Sequence, residues 1–181
     1  MATPPDFVAG SILTAAQMNA IGMWEIKSDT IGTAVASATV TSAFSTDYQS
    51  YKIVASGITF SSAGAAVYLK LNNSTGSTYF GNLIYNLPGT ASIGGASSLN
   101  GSNLGFFVAT GSSTGLNDFE VTVANPFTAT TSNCFGTYAG RAYNGSCGTH
   151  DSNAASSTGF ILAPSAGTMT GGTIRIYGYR N

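Results

Sequence analysis

Charged side chains are scarce in this chain of 181 residues. Asp, Glu, Lys and Arg make up 7% of it, against about 25% in an ordinary globular domain, and the formal net charge is -1. Nucleic acids and anionic membranes attract proteins through clusters of Lys and Arg, whereas the six basic residues here are scattered. The composition therefore predicts no nucleic-acid partner and no anionic membrane partner.

Long apolar runs and metal-ligating side chains are also lacking. No run approaches the roughly 18 apolar residues of a membrane-spanning helix. The opening stretch MATPPDFVAG does not have the basic and then apolar order of a secretory signal. One histidine and two cysteines are too few for a structural zinc site. We therefore expect a protein made in a cytoplasm, with no membrane insertion, no metal and no cofactor.

Short runs of alternating apolar and polar residues are abundant. In GLNDFEVTVANP, for example, Phe119, Val121 and Val123 alternate with Asp118 and Glu120. About ten such runs follow one another at spacings of roughly 8 to 12 residues. The 10 Phe and 9 Tyr provide the apolar surface that a disordered chain would lack. The pattern predicts an all-β protein, an antiparallel and jelly-roll-like β-sandwich.

Turn residues between the runs predict local pairings and two loops. The NNSTGS turn predicts a hairpin of residues 66–72 with residues 78–87, and GSSTG predicts a second pair, 104–111 with 115–126. The Gly/Ser-rich stretch 88–103 is predicted to be an exposed loop at one end of the sandwich. The polar stretch NGSCGTHDSN is predicted to be a further loop.

One short helix is predicted near the N-terminus, in GSILTAAQMNAIG. Thr14 and Gln17 form a capping box, Leu13 and Met18 are placed for a hydrophobic staple, and a terminal glycine can cap the end. A helix of two turns is marginal alone, so its apolar stripe must dock on another protein or pack as a lid on its own sandwich. The residues assigned to attachment are Leu13, Thr14, Gln17, Met18 and Ile21. The predicted division is an attachment segment, 1–28, and a β-sandwich domain, 29–181.

Four stretches carry a resemblance to a known family. FVAGSILTAAQMNAIG resembles the segment, with Gly-x-x-Leu-Thr-Ala-Ala-x-Met-Asn, that opens many bacteriophage virion proteins. DYQSYKIVASGIT, VANPF and GTIRIYGYRN resemble the β-domain that follows it in proteins from cyanophages and actinophages. The chain thus resembles virion structural proteins of the tail fibre or minor tail protein type. The resemblance implies a non-enzymatic surface protein of the virion, anchored through its N-terminus to other virion proteins.

The resemblance leaves the position on the particle open. Members serve in tail fibres, tail tips, head fibres and capsid decorations, and this chain has no extended shaft. The low charge and the likeness to fibre proteins together predict a homotrimer that is made in the bacterial cytoplasm and displayed on the virion. The alternatives are a capsid decoration or cement protein and, from another class, a lectin-like or carbohydrate-active module that binds host surface glycans.

Two groups of side chains invite a catalytic interpretation. CGTHDS places a possible nucleophile and base close together, but catalytic partners usually converge from separate parts of a fold; the residues are Cys147, His150, Asp151 and Ser152. Asp118 and Glu120 stand two residues apart, so on a strand they share one side about 6 to 7 Å apart, near the carboxyl separation of an inverting glycosidase. Acid and base normally face each other across a groove. We therefore favour an exposed loop and a solvent face, and no enzymatic activity.

The last strand and two short stretches are candidates for binding. Arg175, Tyr177 and Tyr179 alternate with isoleucines, so they share one face, which is either a subunit or glycan interface or a second buried face. Aromatic residues beside Asn make NLIYNLPG and RAYNGS further candidates for glycan contact.

The two cysteines flank the run FGTYAGRAY. If that run turns back at Ala139 and Gly140, its ends approach, and Cys134 and Cys147 could form a disulfide once the protein has left the reducing cytoplasm. The alternative is two free buried thiols, as is usual for a cytoplasmic product.

Overall fold

The computed structural model describes residues 10, 12, 14, 22–62, 64–73, 78–86, 91–101, 105–107, 115–140 and 144–179, and these residues form strands and connections without a helix. No helix that could cross a membrane is therefore found in this part of the chain. The predicted N-terminal helix lies outside the described residues. The strands are β1 (Met23–Thr30), β2 (Ala38–Val40), β3 (Ser50–Phe60), β4 (Val67–Leu71), β5 (Tyr79–Asn86), β6 (Ile93–Gly101), β7 (Gly105–Phe107), β8 (Asn117–Ala124), β9 (Ser132–Gly140), β10 (Asn144–Asp151), β11 (Phe160–Pro164), β12 (Met169–Thr170) and β13 (Thr173–Tyr179).

The strands form two antiparallel sheets. The larger sheet has nine strands in the order β1-β13-β3-β8-β9-β10-β5-β6, with β12 paired to the end of β3. The smaller sheet has the order β2-β11-β4-β7. The first and last strands are neighbours, because Met23 of β1 pairs with Tyr179 of β13. The chain therefore enters and leaves the larger sheet at the same end of one edge.

One hydrophobic core lies between the inner faces of the two sheets. The larger sheet contributes Ile53, Phe119 and Ile176, and the smaller sheet contributes Leu69 and Phe160. Strands alternate between this core and the outside with the period of two that a pleated strand imposes. In β8, Phe119, Val121 and Val123 are buried while Asp118 and Glu120 are exposed, as the sequence predicts. The all-β, antiparallel prediction is confirmed.

Both predicted local pairings are wrong. β4 lies in the smaller sheet and pairs with β11 and β7, whereas β5 lies in the larger sheet and pairs with β10 and β6. β7 and β8 likewise belong to different sheets. Alternation shows which side of a strand faces the core, but it does not identify the partner strand. A Gly/Ser-rich connection can cross between sheets as readily as it can turn within one.

Both predicted loops contain strands. Residues 93–101 of the Gly/Ser-rich stretch form the edge strand β6, and the polar stretch contributes β10, which is paired on both sides. Main-chain hydrogen bonds hold these strands, and any residue except proline can supply them. In β6, the ring of Tyr85 lies over Gly94, and a Cβ there would stand 2.6 Å from the ring, so that the tyrosine would have to move. Small residues that indicated a loop therefore allow an aromatic ring to cover the backbone.

The predicted boundary at residue 28 falls inside β1. Met23, Trp24, Glu25, Lys27 and Ser28 all have partners on β13, with a bulge at residue 26. The part of the attachment segment from residue 23 onward therefore belongs to the sandwich.

Candidate binding face and attachment edge

The outer face of the larger sheet divides into a charged half and a neutral half. The charged half lies on β1, β13, β3 and β8. There Lys52 Nζ lies 2.7 Å from Glu120 Oε2, and Arg175 Nε lies 3.9 Å from Glu25 Oε2. The hydrogen bond with Glu120 raises the pKa of Lys52, while burial opposes that rise. The few charges of this face therefore largely neutralise one another.

Asp118 and Glu120 lie side by side on β8, each with a partner. The backbone N–H of Gly57 donates to Asp118 Oδ1 at 2.8 Å, at a bulge where β3 shifts register against β8 and Gly57 has a φ of +72°. The ion pair with Lys52 occupies Glu120. The Asp118 carboxylate therefore stabilises the bulge of β3, and the Glu120 carboxylate forms an ion pair. The arrangement does not set them across a groove, as a glycosidase requires.

The neutral half consists of β9, β10, β5 and β6. The sequences of these strands contain one carboxylate, Asp151, which is buried, and no Lys or Arg. Several apolar side chains are exposed on the outer face instead, among them Ile84, Ile93 and Phe135, the last with 59% of its surface exposed. His150 is the one ionisable side chain of these four strands that points outward.

A shallow depression of about 480 Å³ lies in the middle of the neutral half. The strand register brings its walls together, because His150 pairs with Phe80 and with Asn133, while Gly148 pairs with Asn82. The rings of Phe80 and His150 stack at a centroid distance of 5.2 Å and an angle of 13°. A Cβ on Gly148 would meet only Asn82 Oδ1, at 3.6 Å, so the glycine leaves open space between these side chains.

The CGTHDS group is divided between the two faces of the sheet. Cys147 and Asp151 point into the core, whereas His150 points outward. Asp151 Oδ1 accepts a hydrogen bond of 2.6 Å from Thr78 Oγ1. The carboxylate thus fixes the residue that directly precedes β5. The prediction that His150 lies on a loop is wrong, since it lies on β10, although it is exposed as expected. The structure does not assemble Cys147, His150 and Asp151 as a nucleophile with its base.

Cys134 and Cys147 are free, buried and close together on β9 and β10. Their hydrogen bond and burial raise the pKa of Cys134 well above its usual value. The same hydrogen bond lowers the pKa of Cys147, aided by the backbone of Gly136 and opposed by burial. Cys134 pairs with Thr149 and Cys147 with Gly136, which makes the two cysteines diagonal neighbours.

The candidate disulfide stays a prediction, and the diagonal placement favours the alternative of two thiols. Diagonal residues of an antiparallel pair stand about 7 to 8 Å apart, whereas a disulfide usually needs Cα atoms about 4.4 to 6.8 Å apart. Intact mass after alkylation of unfolded, unreduced protein is expected to show both cysteines modified. An unmodified chain that is lighter by two hydrogens would contradict this.

The attachment edge, defined as Met23, Trp24 and Tyr179, lies where the chain enters and leaves the larger sheet. These side chains are 44%, 37% and 37% exposed. Within the predicted attachment segment, Thr14 is exposed. Of the other residues assigned to attachment, Leu13, Gln17, Met18 and Ile21 lie outside the described residues. Ile12, which the sequence analysis did not single out, is exposed.

Arg175, Tyr177 and Tyr179 share the outer face of β13, as their alternation predicts. β13 lies between β1 and β3, so Arg175 and Tyr177 are half-buried by the neighbouring strands, while Tyr179 is exposed at the attachment edge. Their role as a subunit or glycan interface remains a prediction.

The stretches that the sequence suggested for glycan contact include one residue of the depression, but most residues that line it were not predicted. NLIYNLPG contains Asn82, and RAYNGS ends on β10, where Gly145 and Ser146 pair with Tyr85 and Ile84. The two candidate stretches are therefore neighbours in the sheet. Phe80, Asn133 and Gly148 were missed because only strand register brings them beside Asn82. Their strand positions carry no local motif.

The chain matches no protein-family model, and comparisons with curated proteins and with solved structures find no match. Among the described residues, no group of three or more His, Cys, Asp and Glu side chains is arranged to hold a metal ion.

Proposed function

We propose that this protein is a non-enzymatic structural protein of a bacteriophage virion, displayed on the particle surface and anchored through its N-terminal segment. The resemblance of FVAGSILTAAQMNAIG to the opening segment of virion proteins motivates the proposal. The attachment edge is the structural observation that supports it. The segment joins the sandwich beside exposed Met23, Trp24 and Tyr179, where a particle protein could cover both the segment and the edge.

The scarcity of charge supports a homotrimer. A surface with little net charge is poorly protected against association, so neighbouring subunits are expected to cover part of it. The face of Arg175, Tyr177 and Tyr179 is the proposed site of contact, since Tyr and Arg are enriched in interfaces. Sedimentation of the purified protein as a trimer is the expected result, and a monomer at micromolar concentration would contradict it.

The finer description of the fold belongs to the same proposal. We describe the sandwich as jelly-roll-like because its first and last strands are neighbours and because strands distant in sequence, such as β3 and β8, pair. The helix with Leu13, Met18 and Ile21 on one stripe completes the attachment segment.

Two positions on the particle compete. The compact sandwich suits a knob at a tail tip or head fibre, and it also suits a capsid decoration protein. Both would place the attachment edge against the particle and the opposite end of the sandwich outward. A role in contacting the bacterial host fits the first position better, because tail and fibre components meet the host surface.

Substitutions at the attachment edge test the proposal. Met23→Ser combined with Trp24→Ser is expected to lower the copy number in purified particles by about tenfold, since docking would bury the part of each side chain that is still exposed, which together contributes roughly 1 to 2 kcal/mol. Melting should fall only modestly, because the two side chains, 44% and 37% exposed, lie at the end of the sheet and outside the buried core. Quantitative mass spectrometry of particles gives the copy number.

The matched control removes exposed apolar side chains from the opposite edge of the same sheet. Ile84→Ser combined with Ile93→Ser makes a comparable change on β5 and β6. Normal incorporation of this control is expected. Equal loss from both variants, or normal incorporation of the first, would contradict attachment through this edge.

A further inference from the structure

We infer that the depression between Phe80, Asn82, Asn133, Gly148 and His150 is a binding site for an uncharged sugar. This goes beyond the proposed role in the virion, because the site lies on the opposite half of the sheet from the attachment edge. It can be measured on the purified protein alone.

The absence of charge around the depression limits the class of ligand. Phosphate, sulfate and carboxylate ligands are held by Arg or Lys, and β5, β6, β9 and β10 contain neither. Carboxylates attract cationic ligands most strongly, and the one carboxylate on these strands, Asp151, is buried toward the core. Among the described residues of the outer face, the ion pairs Lys52–Glu120 and Arg175–Glu25 both lie on the other half. An uncharged ligand suits this surface best.

The amides favour a ligand with hydroxyl groups. Asn82 and Asn133 are exposed, and their side chains hydrogen-bond to no other residue in the described part of the chain. Each amide offers both a donor NH₂ and an acceptor oxygen. A hydroxyl group can serve both, since it donates one hydrogen bond and accepts others. A hydrocarbon ligand would leave both amides unsatisfied, which costs binding energy in a covered site.

The aromatic pair supplies the apolar wall that a sugar ring requires. Phe80 and His150 already stack at 5.2 Å, so their orientations are fixed before a ligand arrives. Pyranose rings have apolar C–H faces as well as hydroxyl groups, and a site that combines aromatic and amide side chains suits both. Gly148 lets the ligand approach the backbone between these walls. The volume of about 480 Å³ leaves room for a sugar ring, one side of which would stay in solvent because the depression is shallow.

Saturation-transfer NMR on the full-length protein tests the inference. The probes are the methyl glycosides of glucose, galactose, mannose, rhamnose and N-acetylglucosamine, with galacturonic acid and N-acetylneuraminic acid as charged comparisons. Transfer to at least one neutral glycoside is expected, with weaker transfer to the acids. Transfer to none of the neutral glycosides, or stronger transfer to the acids, would overturn the inference.

Two variants locate the binding. Gly148→Val should abolish transfer, because its side chain fills the depression while its Cβ meets only Asn82 Oδ1 and valine favours strands. Thr137→Val, on the same face and outside the depression, should leave transfer unchanged. If Gly148→Val does not fold, Asn82→Ala with Asn133→Ala decides, since these exposed amides support no described contact. The double variant should weaken affinity by about tenfold.

Transfer that persists unchanged in a folded Gly148→Val variant, or in the double variant, would overturn this site. The result does not depend on particle incorporation. Sugar binding by a protein that is absent from particles would contradict the proposed function alone.

Discussion

Deletion of residues 1–22 is expected to leave a folded sandwich that no longer joins particles. The deletion removes no described strand, because β1 begins at Met23, and among the described residues the core cluster begins at Ile31, with Ile26 packed against it. The deleted residues include Leu13, Met18 and Ile21, the apolar stripe proposed to dock. Their burial contributes roughly 1.5 to 3 kcal/mol each, and several copies on a symmetric partner would bind more tightly through avidity.

Two measurements separate docking from a lid on the sandwich. Near-normal melting of the truncated protein, together with its absence from purified particles, is the expected result. If the helix instead packs on its own sandwich, truncation will lower the melting temperature or cause aggregation. Leu13→Ser with Met18→Ser in the full chain removes only two apolar side chains of the segment. This variant should also lose incorporation without losing stability. Incorporation of the truncated protein at normal copy number would contradict anchoring through this segment.

Phe160→Ala is expected to lower the free energy of unfolding by about 3 to 5 kcal/mol. Phe160 is fully buried at the centre of the smaller sheet, where it pairs with Val40 of β2 and Leu71 of β4. Its ring stacks on Phe44 at a centroid distance of 5.9 Å. The substitution leaves a cavity between two sheets, and neither sheet can close it without disturbing its main-chain pairing.

A second phenylalanine supplies the control for this substitution. Phe135 on β9 is exposed on the outer face, so Phe135→Ala should change the free energy of unfolding by no more than about 0.5 kcal/mol. Urea denaturation of both variants measures the difference. Similar losses from the two substitutions would contradict the assignment of Phe160 to the core and Phe135 to the surface.

Alternation of side chains made the strand class and several inward faces predictable from the sequence. β8 shows this clearly, because its apolar positions Phe119, Val121 and Val123 are buried as predicted. β4 buries Val67 and Leu69 in the same way. These predictions succeeded because burial depends on the chemistry of each residue and on the two-residue period, which are both local.

Strand pairing could not be predicted because it depends on contacts between distant parts of the chain. β5 lies next to β10 rather than β4, and this register brings Phe80 beside His150. The same distant pairing creates the depression at Gly148. In the sequence, His150 was a single polar residue in a polar stretch. A ligand site made from strands this far apart becomes visible only when their register is known.

Gly and Ser content misled the prediction at β6 and β10. These residues are typical of loops, but here they lie in strands where neighbouring groups approach the backbone closely. Gly145 of β10 illustrates this, since a Cβ there would collide with the carbonyl oxygen of Ile84. Glycine can therefore indicate crowding within a sheet as well as freedom in a turn.

The position of the chain in intact particles tests the central proposal most directly. Cryo-electron microscopy of purified phage particles is expected to show the sandwich on the outside, in threefold-related groups. Met23, Trp24 and Tyr179 should face the particle, and Gly148 should face outward or sideways. Particles that lack this chain, or that hold it with the attachment edge exposed to solvent, would contradict the account.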